Sequence, residues 1–237
     1  MMKLRKQLYP QQVGFSLIEL MIAMLLGIVV IAGVFSVFIG SSQTYRLQDA
    51  MFRAQESGRF ALTMIVSDAR HAGFQDVLPE EETRLADKLA VTGYTAADAD
   101  KPAAVISGVS SDVLHIRSHD GRSNGDVAYY IANDVDNQPA LFMNGNAAVE
   151  GVEGLVVLYG RDTDGDREAD QFDSLAAVPD WGDVVAIRLN LYVASGDPGL
   201  LDTAQAAMAA PFDAVDTSDL RLYQAYSSTV ALRNKMP

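Results

Sequence analysis

The sequence predicts an α+β chain, a long N-terminal α-helix whose C-terminal half packs on an antiparallel β-sheet head. Three observations carry this. An apolar run from Phe15 to Ile39 holds a single ionisable residue, Glu19. No proline occurs between Gln11 and Leu78, and small or apolar residues recur there in steps of three and four. Beyond Gly73 that periodicity gives way to short runs rich in Val, Ile, Leu and Tyr separated by Gly, Asp and Asn.

The chain divides by composition into residues 1–14, a short basic leader; 15–40, an apolar half-helix; 41–73, an amphipathic half-helix; and 74–237, a β-rich head. The leader carries Lys3, Arg5 and Lys6 and no acid, which places the N-terminus in the cytoplasm and the head across the membrane. The apolar run of about 25 residues is long enough to span a bilayer at about 1.5 Å per residue. A cleavable secretory signal fits poorly, because its apolar region would be too long and no small-x-small site follows. A plain anchor needs no acid within the membrane, where one costs about 2.5–3.5 kcal/mol near the centre and less near the interface. Cleavage between Gly14 and Phe15 would create an α-amine at Phe15. In a stack of subunits that amine can neutralise the Glu19 carboxylate of a neighbour, a pair made only on assembly. Gly27, Gly33 and Gly40 suit close helix approach or local loosening, and glycine is also simply common in membrane helices.

Past the membrane run, Leu47, Met51, Ala54, Gly58, Ala61, Ile65, Ala69 and Ala72 define one helix face. Asp49 and Arg53 have i,i+4 spacing. Gly73 is the expected C′ residue, so the helix covers about Phe15 to Ala72, roughly 85 Å.

In the head, Gln75 to Lys101 reads as irregular, with the acidic run Glu80-Glu81-Glu82 and a short helix near Thr83 to Leu89. Strands are expected at Ala104–Val109, Val113–Arg117, Val127–Ala132, Ala140–Met143, Val149–Tyr159 and Val184–Ala194, with one or two more in Leu220–Leu232. Asn133 to Asn137 reads as a hairpin turn. Gly196 to Asp219 reads as a long surface loop with local helix at Thr203 to Ala210. His115 alternates with Leu114 and Ile116, which predicts a solvent-facing position. Trp181, after Pro179-Asp180, reads as a packing residue.

Net charge is -13, and without Lys3, Arg5 and Lys6 there remain 15 basic against 31 acidic residues, a charge of -16. That disfavours nucleic acid and anionic lipid as partners of the head. With no cysteine, the head rests on packing alone. No catalytic constellation, phosphate loop or nucleophile elbow is evident, so the chain reads as a non-enzyme that requires no cofactor. One acidic stretch stands apart. Asp162, Asp164, Asp166, Asp170 and Asp173 occupy positions 1, 3, 5, 9 and 12 of a twelve-residue stretch, a spacing that suits Ca²⁺. Position 12 is Asp rather than Glu, and position 6, normally Gly, is Arg167. The alternative is a solvated Asp-rich turn between strands.

Gly14-Phe15-Ser16-Leu17-Ile18-Glu19-Leu20 resembles the class III leader and N-terminal signature of type IV prepilins and type II secretion pseudopilins. The resemblance implies that a membrane aspartyl peptidase cuts after Gly14 and that Phe15 is N-methylated. It narrows further along the chain. Gln43-Thr44-Tyr45-Arg46, Gln55 to Leu62, Asp68 to Phe74, Gly151 to Gly160, Asp162 to Asp166, Trp181 with Val184 to Arg188, and Thr229 to Asn234 are similar to PilW-type minor pilins. That resemblance implies a type IV pilin-like fold and a low-abundance subunit that helps prime pilus assembly and forms part of the tip. The partners it implies are other minor pilins, the major pilin, the prepilin peptidase, the inner-membrane assembly platform and a tip adhesin. It also implies an inner-membrane protein with a periplasmic head before assembly and a surface protein afterwards. A type II secretion pseudopilin and a membrane-anchored calcium-dependent binding module are the alternatives.

Overall fold

The computed structural model describes residues 14–74, 90–118 and 125–235. The basic leader up to Val13, the Glu80-Glu81-Glu82 run, the expected helix at Thr83–Leu89 and His119 lie outside the described residues. The chain divides into two units, Met1–Arg46 and Leu47–Pro237. One element belongs to both, the helix α1, Leu17–His71.

In the first unit the side chains of α1 stand exposed, from Leu17 through Phe35 to Ile39. Its most apolar stretch has a mean hydropathy of 2.9 and buries nothing against the chain itself. Among the described residues, α1 is the one helix long and apolar enough to cross a membrane. So continuous an apolar surface requires lipid or other subunits around it.

In the second unit, Ala54, Gly58, Ala61, Ile65, Ala69 and Ala72 are buried, so the expected stripe is the face that meets the core from Ala54 onward. Leu47 is half-buried and Met51 exposed, so the two earliest members of the stripe stand outside the core. Arg53 Nε lies 3.0 Å from Asp49 Oδ2, the expected pair, and its exposure limits it to about 0.3–0.5 kcal/mol. The helix ends where expected. Gly73 has φ +74°, which a β-carbon would strain, and its N–H donates to the Arg117 carbonyl at 2.8 Å.

Two antiparallel sheets follow. The first contains β1 (Val91–Tyr94), β2 (Val113–Ile116), β3 (Val127–Asn133), β4 (Pro139–Met143) and β5 (Asn146–Glu150), side by side in chain order. The second contains β6 (Val152–Arg161), β7 (Gln171–Ser174), β8 (Val184–Ala194) and β9 (Tyr223–Ala231), in the order β7-β6-β8-β9. Both sheets contribute to one core with the helix stripe, through Leu114, Ile116, Tyr129, Ile131 and Leu141 from one and Leu155, Val157, Tyr159, Ile187, Leu189 and Leu191 from the other. Val185, Ile187, Leu189, Leu191 and Val193 are all buried, as their alternation predicts.

The single strand expected over Val149–Tyr159 is two. Gly151, at φ +77°, turns the chain out of β5 and into β6, so the run feeds both sheets. Ala104–Val109 is not a strand. It covers the outer face of the first sheet, where Val105 packs with Tyr130 and Phe142, and keeps one bridge from Val109 to Ala132. The expectation for His115 is also reversed, since it is buried at 7% exposure with the Tyr94 ring centroid 6.1 Å away and Asp126 Oδ2 4.0 Å from its Nε2. The turn at Asn133–Asn137 is present, held by Asp134 Oδ1 accepting from the N–H groups of Asp136 and Gln138 at 2.9 Å each. Thr203–Ala210 is not helical. Gln205 instead donates to and accepts from the backbone of Tyr223, and Met208 is buried with Phe212 and Tyr223. Long-range contacts there outweigh alanine's helix propensity. Two short strands, β1 and β7, lie in stretches that carry no strand-like alternation.

Candidate functional site

The N-terminal end comes first. Gly14, Phe15 and Ser16 precede the helix, and Phe15 is 86% exposed. The Ser16 carbonyl accepts from the N–H of Glu19 at 3.0 Å and of Leu20 at 3.2 Å, so Glu19 falls in the first turn. A carboxylate there is favoured by the helix dipole, yet its side chain is exposed on an otherwise apolar cylinder. The peptide bond between Gly14 and Phe15 lies outside any helix.

The aspartate stretch forms the connection between β6 and β7, closed by the N–H of Asp170 donating to the Arg161 carbonyl at 2.9 Å. Asp162, Asp164 and Asp166 converge, with one carboxylate oxygen from each within 4.8 Å of the others. Asp162 Oδ1 accepts from Gly165 N–H at 2.7 Å, and its Oδ2 from Arg167 N–H at 2.8 Å. Asp164 and Asp166 each accept from the N–H two residues on, at 3.1 and 2.8 Å. Arg167, at position 6, takes φ +71°, the left-handed conformation usually left to glycine.

The other two aspartates of the spacing lie elsewhere. Asp170 Oδ2 accepts from the Thr163 backbone N–H at 2.7 Å and from its hydroxyl at 2.6 Å. Asp173 Oδ2 pairs with Arg161 Nε at 2.6 Å and accepts from Gln171 at 3.1 Å. The Thr163 bonds hold the Asp170 carboxyl below the usual carboxylate range, and the Arg161 bond does the same for Asp173. Positions 1, 3 and 5 thus form a hard-oxygen cluster, while positions 9 and 12 brace the hairpin.

A polar cluster that sequence reasoning missed holds the long loop before β9. Arg221 on that loop bonds both oxygens of Glu153, and its Nη2 donates to the Tyr223 hydroxyl at 2.9 Å. The Tyr223 hydroxyl donates to Asp219 at 2.7 Å. Burial, with that bond to Asp219, pushes the Tyr223 phenol up to about 12. Glu153 and Arg221 lie 68 positions apart, so local pattern gives no sign of the pairing. Trp181 packs edge-on to Tyr159, with ring centroids 4.7 Å apart.

Comparison with known proteins follows the same two ends of the chain. A family model for the prokaryotic N-terminal methylation motif matches residues 11–35. A second, described as Type IV Pilus-assembly protein W, matches residues 128–234. No curated protein matches the chain. Among solved structures, a type IV-like pilin, TTHA1219, from Thermus thermophilus is similar over 77% of this chain and 98% of its own, at 13% identity and a TM-score of 0.43. With a methylation motif at the head of its apolar helix and a match to the Type IV Pilus-assembly protein W model spanning most of both sheets, the chain is similar to PilW-type pilins at both ends.

Proposed function

We propose that the chain is a minor pilin that takes part in priming type IV pilus assembly and forms part of the tip complex, as a structural rather than catalytic subunit. The match to the Type IV Pilus-assembly protein W model supports this role, and the observation that supports a filament subunit is Glu19 in the first turn of α1, four residues after Phe15 and alone among apolar side chains. In this reading the peptidase cuts after Gly14, Phe15 is methylated, and the new amine meets the Glu19 of an adjoining subunit. The partners are other minor pilins, the major pilin, the assembly platform and a tip adhesin. The head lies in the periplasm until assembly carries it to the surface. Piliation of cells expressing the Glu19→Ala chain tests the role. Loss of surface filaments, with cleavage and protein level unchanged, supports it; filaments at normal number sink it. Pull-down of the tagged full chain separates the pilus from the type II secretion pseudopilus, by which set of pilins accompanies it.

A calcium-dependent binding module is the second reading. The observation favouring it is the convergence of the Asp162, Asp164 and Asp166 oxygens. In that reading the three carboxylates supply hard ligands, with water completing the shell. Thermal melting of the full chain in detergent, with millimolar CaCl₂ against EDTA, tests it. A rise in Tm that is lost in Asp164→Asn supports calcium; equal curves remove it.

A further inference from the structure

The second sheet ends on an unusual edge. β9 is nine residues long, carries no charge and no proline, and pairs with β8 without a register shift. Natural edges are normally blunted by shortness, charge, proline or a bulge. The other edges here follow that rule. β1 and β7 have four residues each, and β5 carries Glu150 and opposes an irregular step at Leu141/Phe142.

The ladder shows which groups the edge offers. Leu232 N–H donates to the Val185 carbonyl at 2.8 Å, and Ser195 N–H to the Leu222 carbonyl at 2.9 Å. By the antiparallel alternation, Gln224, Tyr226, Ser228 and Val230 bond inward to β8. The N–H and C=O groups of Tyr223, Ala225, Ser227, Thr229 and Ala231 therefore point outward. The first of these already holds an amide. Gln205 accepts from Tyr223 N–H at 3.0 Å and donates to its carbonyl at 2.9 Å, as a paired strand residue would.

At Ser227 the edge meets a groove of about 560 Å³, lined by Leu62, Val66, Arg59, Arg70 and His71 of α1 together with Ser227 and Ser228. Among the described residues its ionisable lining is entirely basic, on a chain whose net charge is -13. The backbone edge selects an extended chain, the apolar floor accepts alternate side chains, and the arginines select acid.

We propose that β9 is a strand-addition site that receives an extended, Asp- or Glu-bearing segment of another polypeptide, which pairs with Ala225–Ala231 and lays its side chains on Leu62 and Val66. This deepens the assembly role and rests on it only for where the partner comes from.

Hydrogen exchange on the full-length chain in detergent micelles tests the edge without cleavage or filament growth. Two synthetic peptides of the same Val/Thr alternation are used, one carrying Asp and one Lys. The Asp peptide should slow exchange at Ala225, Ser227, Thr229 and Ala231 by about tenfold or more, and the Lys peptide should not. Ser227→Pro, which removes an outward N–H, should abolish the effect, while Ser227→Ala keeps it. Should the proline variant fail to fold, the Arg59→Glu/Arg70→Glu variant should exchange the preference of the two peptides. No slowing with millimolar Asp peptide, or equal slowing with both, overturns the proposal. Slowing that grows with protein concentration and needs no peptide also overturns it, because the occupant is then a second copy.

Discussion

Tyr226 of β9 lies flat against Gly58 of α1. A Cβ added at Gly58 would fall 2.6 Å from Cδ2 and Cζ of the ring, and the Tyr226 hydroxyl sits 3.1 Å from the Ala54 carbonyl. The absence of a side chain at this one helix position is what lets the edge strand approach. Gly58→Val should therefore destabilise the head by about 1–3 kcal/mol through overpacking. Tyr226→Phe, which keeps the ring and loses the hydroxyl, should cost about 1 kcal/mol. Urea unfolding of the full chain in detergent, followed by tyrosine fluorescence, measures both; a neutral Gly58→Val would show that the ring moves aside.

Arg221→Met should lower stability by about 1–3 kcal/mol, because Glu153 would keep a partly buried charge without its partner. The double variant Glu153→Gln/Arg221→Met should recover part of that loss. Denaturant midpoints of the single and double variants give the coupling, and strict additivity would contradict the arrangement.

Acid should weaken the β6–β7 hairpin. The carboxyls of Asp170 and Asp173 titrate below their unfolded values, so the unfolded chain binds more protons across that range. The stability they supply is complete above about pH 4 and is lost as pH falls through their depressed values. Melting temperature measured from pH 7 to pH 2.5 should fall through that window. Asp173→Asn should flatten part of the decline. Near-neutral pH is predicted to leave the hairpin unaffected.

If Glu19 serves as an assembly contact, Glu19→Gln should behave as Glu19→Ala does, because both lose the charge that meets a freed amine. Glu19→Asp should retain part of the function. Filament counts by electron microscopy decide this, and wild-type counts in Glu19→Gln would require a role other than charge.

The long helix and β8 were legible because each has an uninterrupted period. The stripe Ala54-Gly58-Ala61-Ile65-Ala69 keeps the helical step, and Val185 to Val193 keeps alternation. The division into two sheets was not legible, since the break at Gly151 depends on one left-handed residue inside an otherwise continuous apolar run. His115 misled for a different reason. Strand alternation assigns faces, but neighbours from other segments, here Tyr94 and Asp126, decide whether a face meets water. At the candidate sites, Gly14, Phe15 and Glu19 stand together within the stretch that matches the N-terminal methylation motif, so that motif is visible in sequence alone. The aspartate stretch was readable as spacing, but Arg161 and Thr163 were closer partners for Asp173 and Asp170 than the other aspartates. The Glu153–Arg221 pair joins distant segments and leaves no local trace.

The direction of β9 has a mechanical consequence. Tyr226 meets the helix at Ala54 and Gly58, and Asn234, just beyond the strand, bonds the Ala72 carbonyl at 3.1 Å, so strand and helix run the same way. A tensile load drawn along α1 therefore reaches the β8–β9 ladder in shear. Its hydrogen bonds break together under such a load, where peeling would take them one at a time. A load of that kind is therefore shared across the paired residues of β8 and β9 rather than carried by one of them.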